Sequence, residues 1–245
     1  MKVLGVIPSR WGSTRFPGKS LQPICGRPLV LRVVDAAKQA SELDEVIVAT
    51  DDARIRDAVA PETRVEMTPS DLPSGTDRVA RAAQPDDDDI VINIQGDEPL
   101  MDPETINALA RRMKQDTCEM ATVVTPIRNP RDLQARTVVK VVLDAADRAI
   151  YFSRLPIPCR RDGEPDLASG LYWRHLGIYA YRGNFLKRLV AEPPCALEQC
   201  ESLEQLRALW LGARIAVIKT EHQGVGIDTP EDVAIVERIL KEGKV

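Results

Sequence analysis

Apolar and polar residues alternate along the first half of the chain in blocks that predict strands followed by helices. Short apolar runs predict strands at residues 2–8, 44–51 and 90–94, and apolar side chains at helical spacing predict helices at residues 29–37 and 105–114. Strands that alternate with helices usually join parallel neighbours through right-handed crossovers. The pattern therefore predicts an α/β fold with a doubly wound, mostly parallel sheet.

The pattern changes near residue 130. Residues 154–170 are rich in proline, glycine and charge and predict a long exposed loop, a kind of segment that is usually functional or mobile. A strand is predicted at residues 174–182 and an amphipathic helix at residues 202–212. The side chains expected in the core from this helix are Leu203, Leu206 and Trp210. We expect one domain over residues 1–245, with a smaller subdomain inserted at about residues 130–200.

The strand at residues 90–94 ends abruptly on polar residues. Four of its five residues are apolar and β-branched, which is typical of a strand that is covered on both faces. Gln95, Gly96, Asp97 and Glu98 follow directly. Ligands of open parallel sheets bind beyond the carboxyl ends of the strands. The carboxylates here are therefore either turn residues exposed to water or part of a site.

The composition narrows the classes of function. The 245 residues carry a net charge of -4, which argues against a broad attraction for nucleic acid. Two histidines are too few for a multi-histidine metal site, and five cysteines without a CxxC pair indicate reduced thiols. No apolar run reaches the roughly 18–20 residues that cross a bilayer. We expect a cytoplasmic protein that binds neither nucleic acid nor a membrane.

The first strand leads into a loop that is rich in cations and small residues. After Pro8 and Ser9, the chain places Arg10, Arg15 and Lys19 within ten residues, among glycine, serine and threonine. Small residues let backbone N–H groups approach an anion, and the basic side chains can neutralise phosphate oxygens. Neither the Walker A motif nor the GxGxxG motif is present. The loop therefore predicts a phosphate site of another kind.

A second candidate for anion binding is the start of the helix that follows residue 73. Ser74, with Asp77 three residues later, has the pattern of a capping box. Capping alone would explain Ser74. The two roles are compatible, because a helix N-terminus also presents N–H groups and the positive end of the helix dipole to an anion.

The last helix is predicted to begin just after Asp228. Thr229 is the better N-cap, because Pro230 then occupies the first helical position and Asp232 the third. The cap is therefore assigned to Thr229, which favours a role in metal binding for Asp228.

These segments together resemble the 3-deoxy-manno-octulosonate (Kdo) cytidylyltransferase family, also called CMP-Kdo synthetases. The residues Arg10 to Lys19 resemble the signature loop of the family, and further blocks follow in the family's order along nearly the whole chain. These blocks are VIVATDD, SGTDRVA, NIQGDEPL, VKVVLD, YFSR, RHLGIYAYR, LEQLRALW and GVGIDTPED. So many blocks in order make the resemblance specific.

The resemblance implies a fold, a reaction and partners. The fold would be the Rossmann-like nucleotidyltransferase fold, and residues 130–200 would bind the sugar and contribute to a homodimer. The reaction would join CTP and Kdo into CMP-Kdo and pyrophosphate, by attack of the anomeric hydroxyl of the sugar on the α-phosphate. Magnesium would be the cofactor. The product would supply lipopolysaccharide synthesis.

The resemblance also implies roles for individual residues. Asp97 and Asp228 would hold Mg²⁺ and, with Lys19 and Arg10, would act in catalysis; Glu98 would have a supporting role. The residues expected to contact the nucleotide are Pro8, Ser9, Arg10, Arg15, Lys19, Ser74, Gly75, Thr76, Arg78 and Gln95. The residues expected to contact the sugar are Gln95, Arg154, His175, Tyr179, Glu204 and Gln205. His175 and Tyr179 lie four apart on one strand, so they should share a face.

Three departures from the family pattern bear on which sugar acid is used and not on the transfer of CMP. Leu72 stands where the family usually has histidine, Cys159 stands where an aromatic residue is expected, and residues 160–170 match poorly. An 8-amino analogue of Kdo is an alternative substrate, whereas the first loop argues against enzymes of the sialic-acid type. A nucleotide-sugar-dependent glycosyltransferase and a non-enzymatic nucleotide-binding protein are more distant alternatives.

Overall fold

The computed structural model describes residues 1–12 and 16–242. Its strands are β1 (Val3–Ser9), β2 (Pro23–Ile24), β3 (Arg27–Pro28), β4 (Glu45–Thr50), β5 (Arg64–Met67), β6 (Ile90–Asn93), β7 (Met120–Pro126), β8 (Lys140–Leu143), β9 (Ala149–Ser153), β10 (Trp173–Arg182) and β11 (Ile215–Lys219). Its α-helices are α1 (Leu29–Lys38), α2 (Ala53–Val59), α3 (Gly75–Ala83), α4 (Pro103–Gln115), α5 (Pro130–Gln134), α6 (Gly183–Ala191), α7 (Ala196–Glu201), α8 (Gln205–Trp210) and α9 (Pro230–Glu242). Short 3₁₀ turns occur at Lys19–Leu21 and Leu167–Ser169.

The central sheet has the strand order β11-β7-β10-β6-β1-β4-β5. β1 pairs in parallel with β4 and β6, β4 with β5, and β7 with β11. β10 runs antiparallel between β6 and β7. It also pairs antiparallel with β8, which in turn pairs antiparallel with β9. The predicted class of fold is confirmed, with β10 as an antiparallel strand inside the sheet. The carboxyl ends of β1 and β6 therefore lie side by side.

Alternate side chains of the central strands enter two separate cores, one on each face of the sheet. Ile7 of β1 belongs to the core formed with α1 and α4, whereas Leu4 and Val6 belong to the core formed with α3, α6 and α8. Burial on both faces explains why the central strands are almost continuously apolar. Among the described residues, no helix is long and apolar enough to cross a membrane.

Both predicted helix starts near the candidate site are confirmed. The hydroxyl of Ser74 accepts the N–H of Asp77 at 3.1 Å, and α3 begins at Gly75. The α9 helix begins at Pro230, and the N–H of Thr229 donates to the carboxylate of Asp232 at 2.8 Å. These local bonds fix where the two helices start, and thereby where the loops before them can reach.

The prediction for residues 202–212 is partly wrong. Leu203 and Leu206 are buried as expected, but the Trp210 residue is 62% exposed. The helix covers only Gln205–Trp210, fewer than two turns, and the chain leaves it through Gly212, which has a positive φ of 79°. Trp210 is the last helical residue, so its side chain is not covered by the sheet. The division into a main domain and a subdomain at residues 130–200 stays a prediction.

Candidate active site

Two cavities adjoin at the carboxyl edge of the sheet, and Gln95 and Asp97 line both of them. The first cavity has a volume of about 340 Å³ and lies between the ends of β1 and β6, the start of α3 and the segment before α9. The second has a volume of about 400 Å³ and lies between β10, residues 137–139 and the turn before α8. A ligand in each cavity would therefore meet the other at Gln95 and Asp97.

Gly96 lets the two central strands end close together at this junction. A Cβ atom on Gly96 would lie 2.6 Å from the carbonyl oxygen of Pro8, which is closer than real Cβ contacts. The amide of Gln95 donates to the carbonyl of Gly177 at 2.7 Å, which ties the end of β6 to β10. The predicted turn after residue 94 is thus part of a site, with Asp97 in its wall.

Lys19 brings the two predicted metal ligands together. Its ammonium nitrogen lies 2.7 Å from Oδ2 of Asp97 and 3.5 Å from Oδ1 of Asp228. It also donates to the carbonyl of Ile227 at 2.9 Å. The Lys19 side chain is only 15% exposed. Two carboxylates from distant parts of the chain therefore already share one cation.

The same two carboxylates suit Mg²⁺. Within the described ranges, no group of three or more histidine, cysteine, aspartate or glutamate residues could hold a metal ion. Mg²⁺ does not need such a cage, because proteins often bind it through one or two carboxylates together with phosphate oxygens of the substrate. Asp97 and Asp228 fit that donor set.

The start of α3 forms another wall of the first cavity. Ser74 and Gly75, two of the residues predicted to contact the nucleotide, line it. The guanidinium of Arg78 also reaches the wall, but it pairs with Asp51 at 3.0 Å and contacts Thr68. Arg78 therefore forms a structural ion pair, and a contact with a ligand would come in addition to it.

Thr76 lies elsewhere than predicted. It does not line the first cavity, and its hydroxyl donates to Oε2 of Glu204 at 2.6 Å, in the wall of the second cavity. Helical geometry explains the difference, because successive residues of the first turn point in different directions.

The first loop supplies the positive charge of the first cavity. Arg10 is exposed and lines the cavity together with Pro8, Ser9 and Lys19. The hydroxyl of Ser9 is 2.8 Å from that of Ser20, a contact that joins the two ends of the loop. Arg15, also predicted to contact the nucleotide, lies outside the described residues.

The departures from the family pattern, Leu72 and the exposed loop, lie at different distances from the two cavities. Leu72 lines the first cavity and not the second. Residues 155–170 line neither cavity in the described structure. Of the departures from the family pattern, Leu72 alone therefore touches the candidate site.

The second cavity is built on an irregular stretch of β10. The pairing register of β10 with β7 shifts between Leu176 and Tyr179, on either side of Gly177. His175 and Tyr179 both line the cavity, with ring centroids 5.4 Å apart, so the prediction that they share a face is confirmed. Burial lowers the pKa of His175 to about 3, which keeps the imidazole neutral near pH 7.

The opposite wall of the second cavity presents polar groups from the start of α8. The hydroxyl of Tyr179 donates to Oε1 of Gln205 at 3.2 Å. Nε2 of Gln205 is buried and has no hydrogen-bond partner among the described residues. Glu204 lies beside it. A buried donor without a partner is costly, and a ligand hydroxyl or carboxylate in this cavity would satisfy it.

Arg154 is not brought to the second cavity. Its guanidinium donates to the backbone carbonyls of Glu201, Arg136 and Ser202, at 2.7, 3.1 and 3.1 Å. Arg154 therefore stabilises the segments behind the cavity. The cavity is lined instead by Arg174, which sequence reasoning missed although it directly precedes His175.

Arg174 is the one lysine or arginine among the described residues that line the second cavity. Its guanidinium forms no hydrogen bond or ion pair with another described residue, although its charge acts on Glu98. The signal that could have found it is a charged residue on a strand whose other side chains are mostly apolar or aromatic.

Glu98, like Arg174, contributes more to the second cavity than the sequence indicated. It lines the second cavity, and its Oε2 is buried without a hydrogen-bond partner in the described part of the chain. Burial, and to a lesser degree the neighbouring Asp97, raises the pKa of Glu98 to about 7. Glu98 therefore adds a titrating carboxyl to the junction.

Comparisons with known proteins agree with this geometry. Residues 4–215 match the family model described as "Cytidylyltransferase". Curated relatives called 3-deoxy-manno-octulosonate cytidylyltransferase include those of Bdellovibrio bacteriovorus, 49% identical over 98% of each chain, and Geobacter sulfurreducens, 45% identical over all of each chain.

Solved structures give the same result. A CMP:2-keto-3-deoxy-manno-octonic acid synthetase complexed with CTP has a TM-score of 0.92 and 38% identity, and the match covers 99% of this chain and 100% of that one. A 4-diphosphocytidyl-2C-methyl-D-erythritol synthase from Anaerococcus prevotii, 14% identical with a TM-score of 0.65 and 98% of each chain covered, shows the fold alone. The chain belongs to the cytidylyltransferase family and, within it, to the 3-deoxy-manno-octulosonate cytidylyltransferases.

Proposed function

We propose that this protein transfers CMP from CTP to Kdo, with release of pyrophosphate. The observation that carries the proposal is the pair of adjoining cavities with different charge that share Asp97 and Gln95. The relative solved with CTP supports a nucleotide in one of them. By the names of its relatives, the product would be CMP-Kdo, which supplies lipopolysaccharide synthesis.

The first cavity suits the triphosphate of CTP. Arg10 and Lys19 place positive charge at the loop after β1, and Ser74 and Gly75 place the N-terminus of α3 on the opposite side. Cations and helix N-termini both stabilise phosphate oxygens. The nucleotide would therefore lie with its α-phosphate toward the shared wall.

The second cavity suits the sugar acid. His175, Tyr179, Glu204 and Gln205 offer hydrogen bonds to hydroxyl groups. Because Asp97, Glu98 and Glu204 also line this cavity, an anionic sugar would be repelled unless a cation faced its carboxylate. Arg174 is placed to be that cation, through a charge-assisted hydrogen bond.

Magnesium is the cofactor that we propose, with Asp97 and Asp228 as its protein ligands. When bound, Mg²⁺ would supply neutralisation of phosphate charge and a Lewis acid at the junction. Lys19 contacts both carboxylates, so it offsets part of their negative charge and holds the loop after β1 against the segment before α9.

The chemical step forms one bond and breaks one. The anomeric oxygen of Kdo bonds to the α-phosphorus of CTP, the bond from that phosphorus to the bridging oxygen breaks, and pyrophosphate leaves with the electron pair. The hydroxyl proton passes to solvent or to a carboxylate at the junction. The two cavities hold the reactants in line, and this positioning is itself a large part of catalysis in phosphoryl transfer.

The test is pyrophosphate release from CTP and Mg²⁺ with Kdo, 8-amino-Kdo or N-acetylneuraminate supplied separately. We expect release with Kdo and little with the others. ATP in place of CTP is the control for the nucleotide.

Each other outcome has a defined meaning. Turnover of 8-amino-Kdo in place of Kdo would keep the chemistry and change the substrate. Failure with every acid, in protein shown to be folded, would contradict the proposed activity. A homodimeric state and a cytoplasmic location stay predictions, which light scattering and cell fractionation would test.

A further inference from the structure

The first turn of α3 is bonded to the wall of the second cavity. The hydroxyl of Thr76 donates to Oε2 of Glu204 at 2.6 Å, although the two residues are 128 positions apart. Thr76 is only 2% exposed. A helix whose start lines the first cavity is therefore joined directly to a side chain that lines the second.

Thr76 holds the Glu204 carboxylate in one orientation. In the described part of the chain, no other side chain forms a hydrogen bond with that carboxylate. Glu204 also lies directly before α8, where its neighbour Gln205 has a buried donor without a partner. Without the bond to Thr76, the glutamate side chain would be able to rotate among several conformations, which a bound sugar would have to restrict.

Thr76 is itself held in place by its buried surroundings. The phenol of Tyr181 lies near the side chains of Thr76 and Asn93. Tyr181 is 2% exposed and lies on β10, and Asn93 is the last residue of β6. A β-branched side chain in a helix also has few rotamers. The hydroxyl is therefore aimed at Glu204 before any substrate binds.

We propose that Thr76 is a positioning residue for the sugar acid and not a nucleotide contact. Its hydroxyl fixes the Glu204 carboxylate toward the second cavity, so that the carboxylate meets sugar hydroxyls at low entropic cost. The proposal rests on the proposed function, because it names the residue that organises the sugar side of that same site.

The test is Thr76→Val, which keeps the shape and removes the donor. We expect the KM for Kdo to rise about 10-fold or more, as for loss of a hydrogen bond to a charged group, with the KM for CTP within about 2-fold of wild type. Thr76→Ser keeps a hydroxyl and should restore most of the affinity for Kdo. The matched control is Thr63→Val, which removes a 2.8 Å hydrogen bond to Val46 at the other end of the sheet and should change neither KM.

A double-mutant cycle separates positioning from general loss of stability. If Thr76 acts through Glu204, then Thr76→Val should add little to the KM for Kdo in a Glu204→Ala background. Thr76→Ala makes the same measurement if the valine variant does not fold.

Three results would overturn the proposal: an unchanged KM for Kdo, a rise confined to the KM for CTP, or additive effects in the cycle. Wild-type protein that releases no pyrophosphate with Kdo would instead contradict the proposed function.

Discussion

The two cavities differ in how they are built and in the charge they present. The first is formed where parallel strands end, by the loop after β1, the turn after β6 and the start of α3. The second is formed around β10, which runs antiparallel between β6 and β7 and is irregular at this point. The first is lined by three cations (Arg10, Lys19 and Arg78) and two carboxylates, whereas the second is lined by three carboxylates and one guanidinium. The difference indicates which ligand each can accept.

A triphosphate needs a cationic surface, and a polyhydroxy acid needs many hydrogen bonds and a single cation. Exchanging the two ligands would place several phosphate charges against Glu98 and Glu204 in addition to Asp97, with Arg174 as the one lining cation. Like charges in a partly buried cavity repel strongly. The balance of charge in the two cavities therefore favours the proposed placement of the ligands without reference to any relative.

The largest effect is expected at Asp97, one of the two residues that line both cavities. Asp97→Asn keeps the shape of the side chain and removes its charge, so it should lower pyrophosphate release by about 10³-fold, because charge stabilisation at the reacting phosphate is lost. The measurement is kcat/KM at saturating Mg²⁺. Asp87→Asn is the control, since Asp87 is an exposed residue paired with Lys187. Near-normal activity of the Asp97 variant would contradict the role of the junction.

A smaller and more selective effect is expected for the two cations that face different ligands. Arg174→Gln should raise the KM for Kdo by about 10- to 100-fold and leave the KM for CTP nearly unchanged. Arg10→Gln should instead raise the KM for CTP and leave the KM for Kdo nearly unchanged. The control Arg154→Gln should lower the melting temperature, because three backbone carbonyls lose their donor, with a smaller effect on the KM for Kdo.

The Arg154→Gln control also decides which of the two arginines, Arg154 or Arg174, binds the carboxylate of Kdo. If Arg154→Gln weakens Kdo binding more than Arg174→Gln does, the assignment of the carboxylate to Arg174 is wrong. If Arg10→Gln and Arg174→Gln affect both substrates equally, the cavities do not act as separate sites.

The smallest effect is a pH dependence of stability in the ligand-free protein. His175 has its pKa lowered to about 3, so the unfolded chain binds a proton that the folded protein does not, and stability falls as the pH falls below about 6.5. Glu98 has its pKa raised to about 7, so the folded protein binds a proton first, and stability rises as the pH falls from 7 toward 4.5. The two slopes oppose each other.

Urea unfolding of two variants would reveal these opposed slopes. Between about pH 7 and about pH 5, Glu98→Gln should lose stability on acidification, by up to about 1.4 kcal/mol per pH unit. His175→Gln should instead gain stability over the same range. Parallel curves for wild type and both variants would mean that neither group titrates as its burial indicates.

Local sequence patterns pointed to several residues that line the first cavity. Arg10 and Lys19 lie within one loop, and the capping box at Ser74 marks the start of α3, so each signal is contained within about ten residues. The apolar strand that ends at Asn93 likewise indicated, from a short stretch of sequence, that Asp97 lies at the carboxyl edge of the sheet. On α3, Thr76 is bonded to Glu204 and Arg78 is paired with Asp51, because spacing does not show where a helical side chain points.

The second cavity could not be predicted from local patterns. Its residues come from β10, residues 137–139 and the turn before α8, and their meeting depends on the antiparallel placement of β10. Arg154 and Arg174 look alike in sequence, and only the fold shows that one binds carbonyls and the other faces the cavity. The prediction that Trp210 is buried was wrong for a related reason, because the predicted helix at residues 202–212 is longer than α8.

The central claim is that the sugar's anomeric oxygen attacks the α-phosphorus of CTP where the two cavities meet. The measurement that tests it most directly uses Kdo with a heavy-oxygen label at the anomeric hydroxyl, in a single turnover with CTP, followed by mass spectrometry of both products. The account predicts that the label appears in CMP-Kdo, at the oxygen that bridges sugar and phosphorus, and that pyrophosphate carries none. Label in pyrophosphate, or an unlabelled bridge formed faster than the sugar exchanges with water, would contradict it.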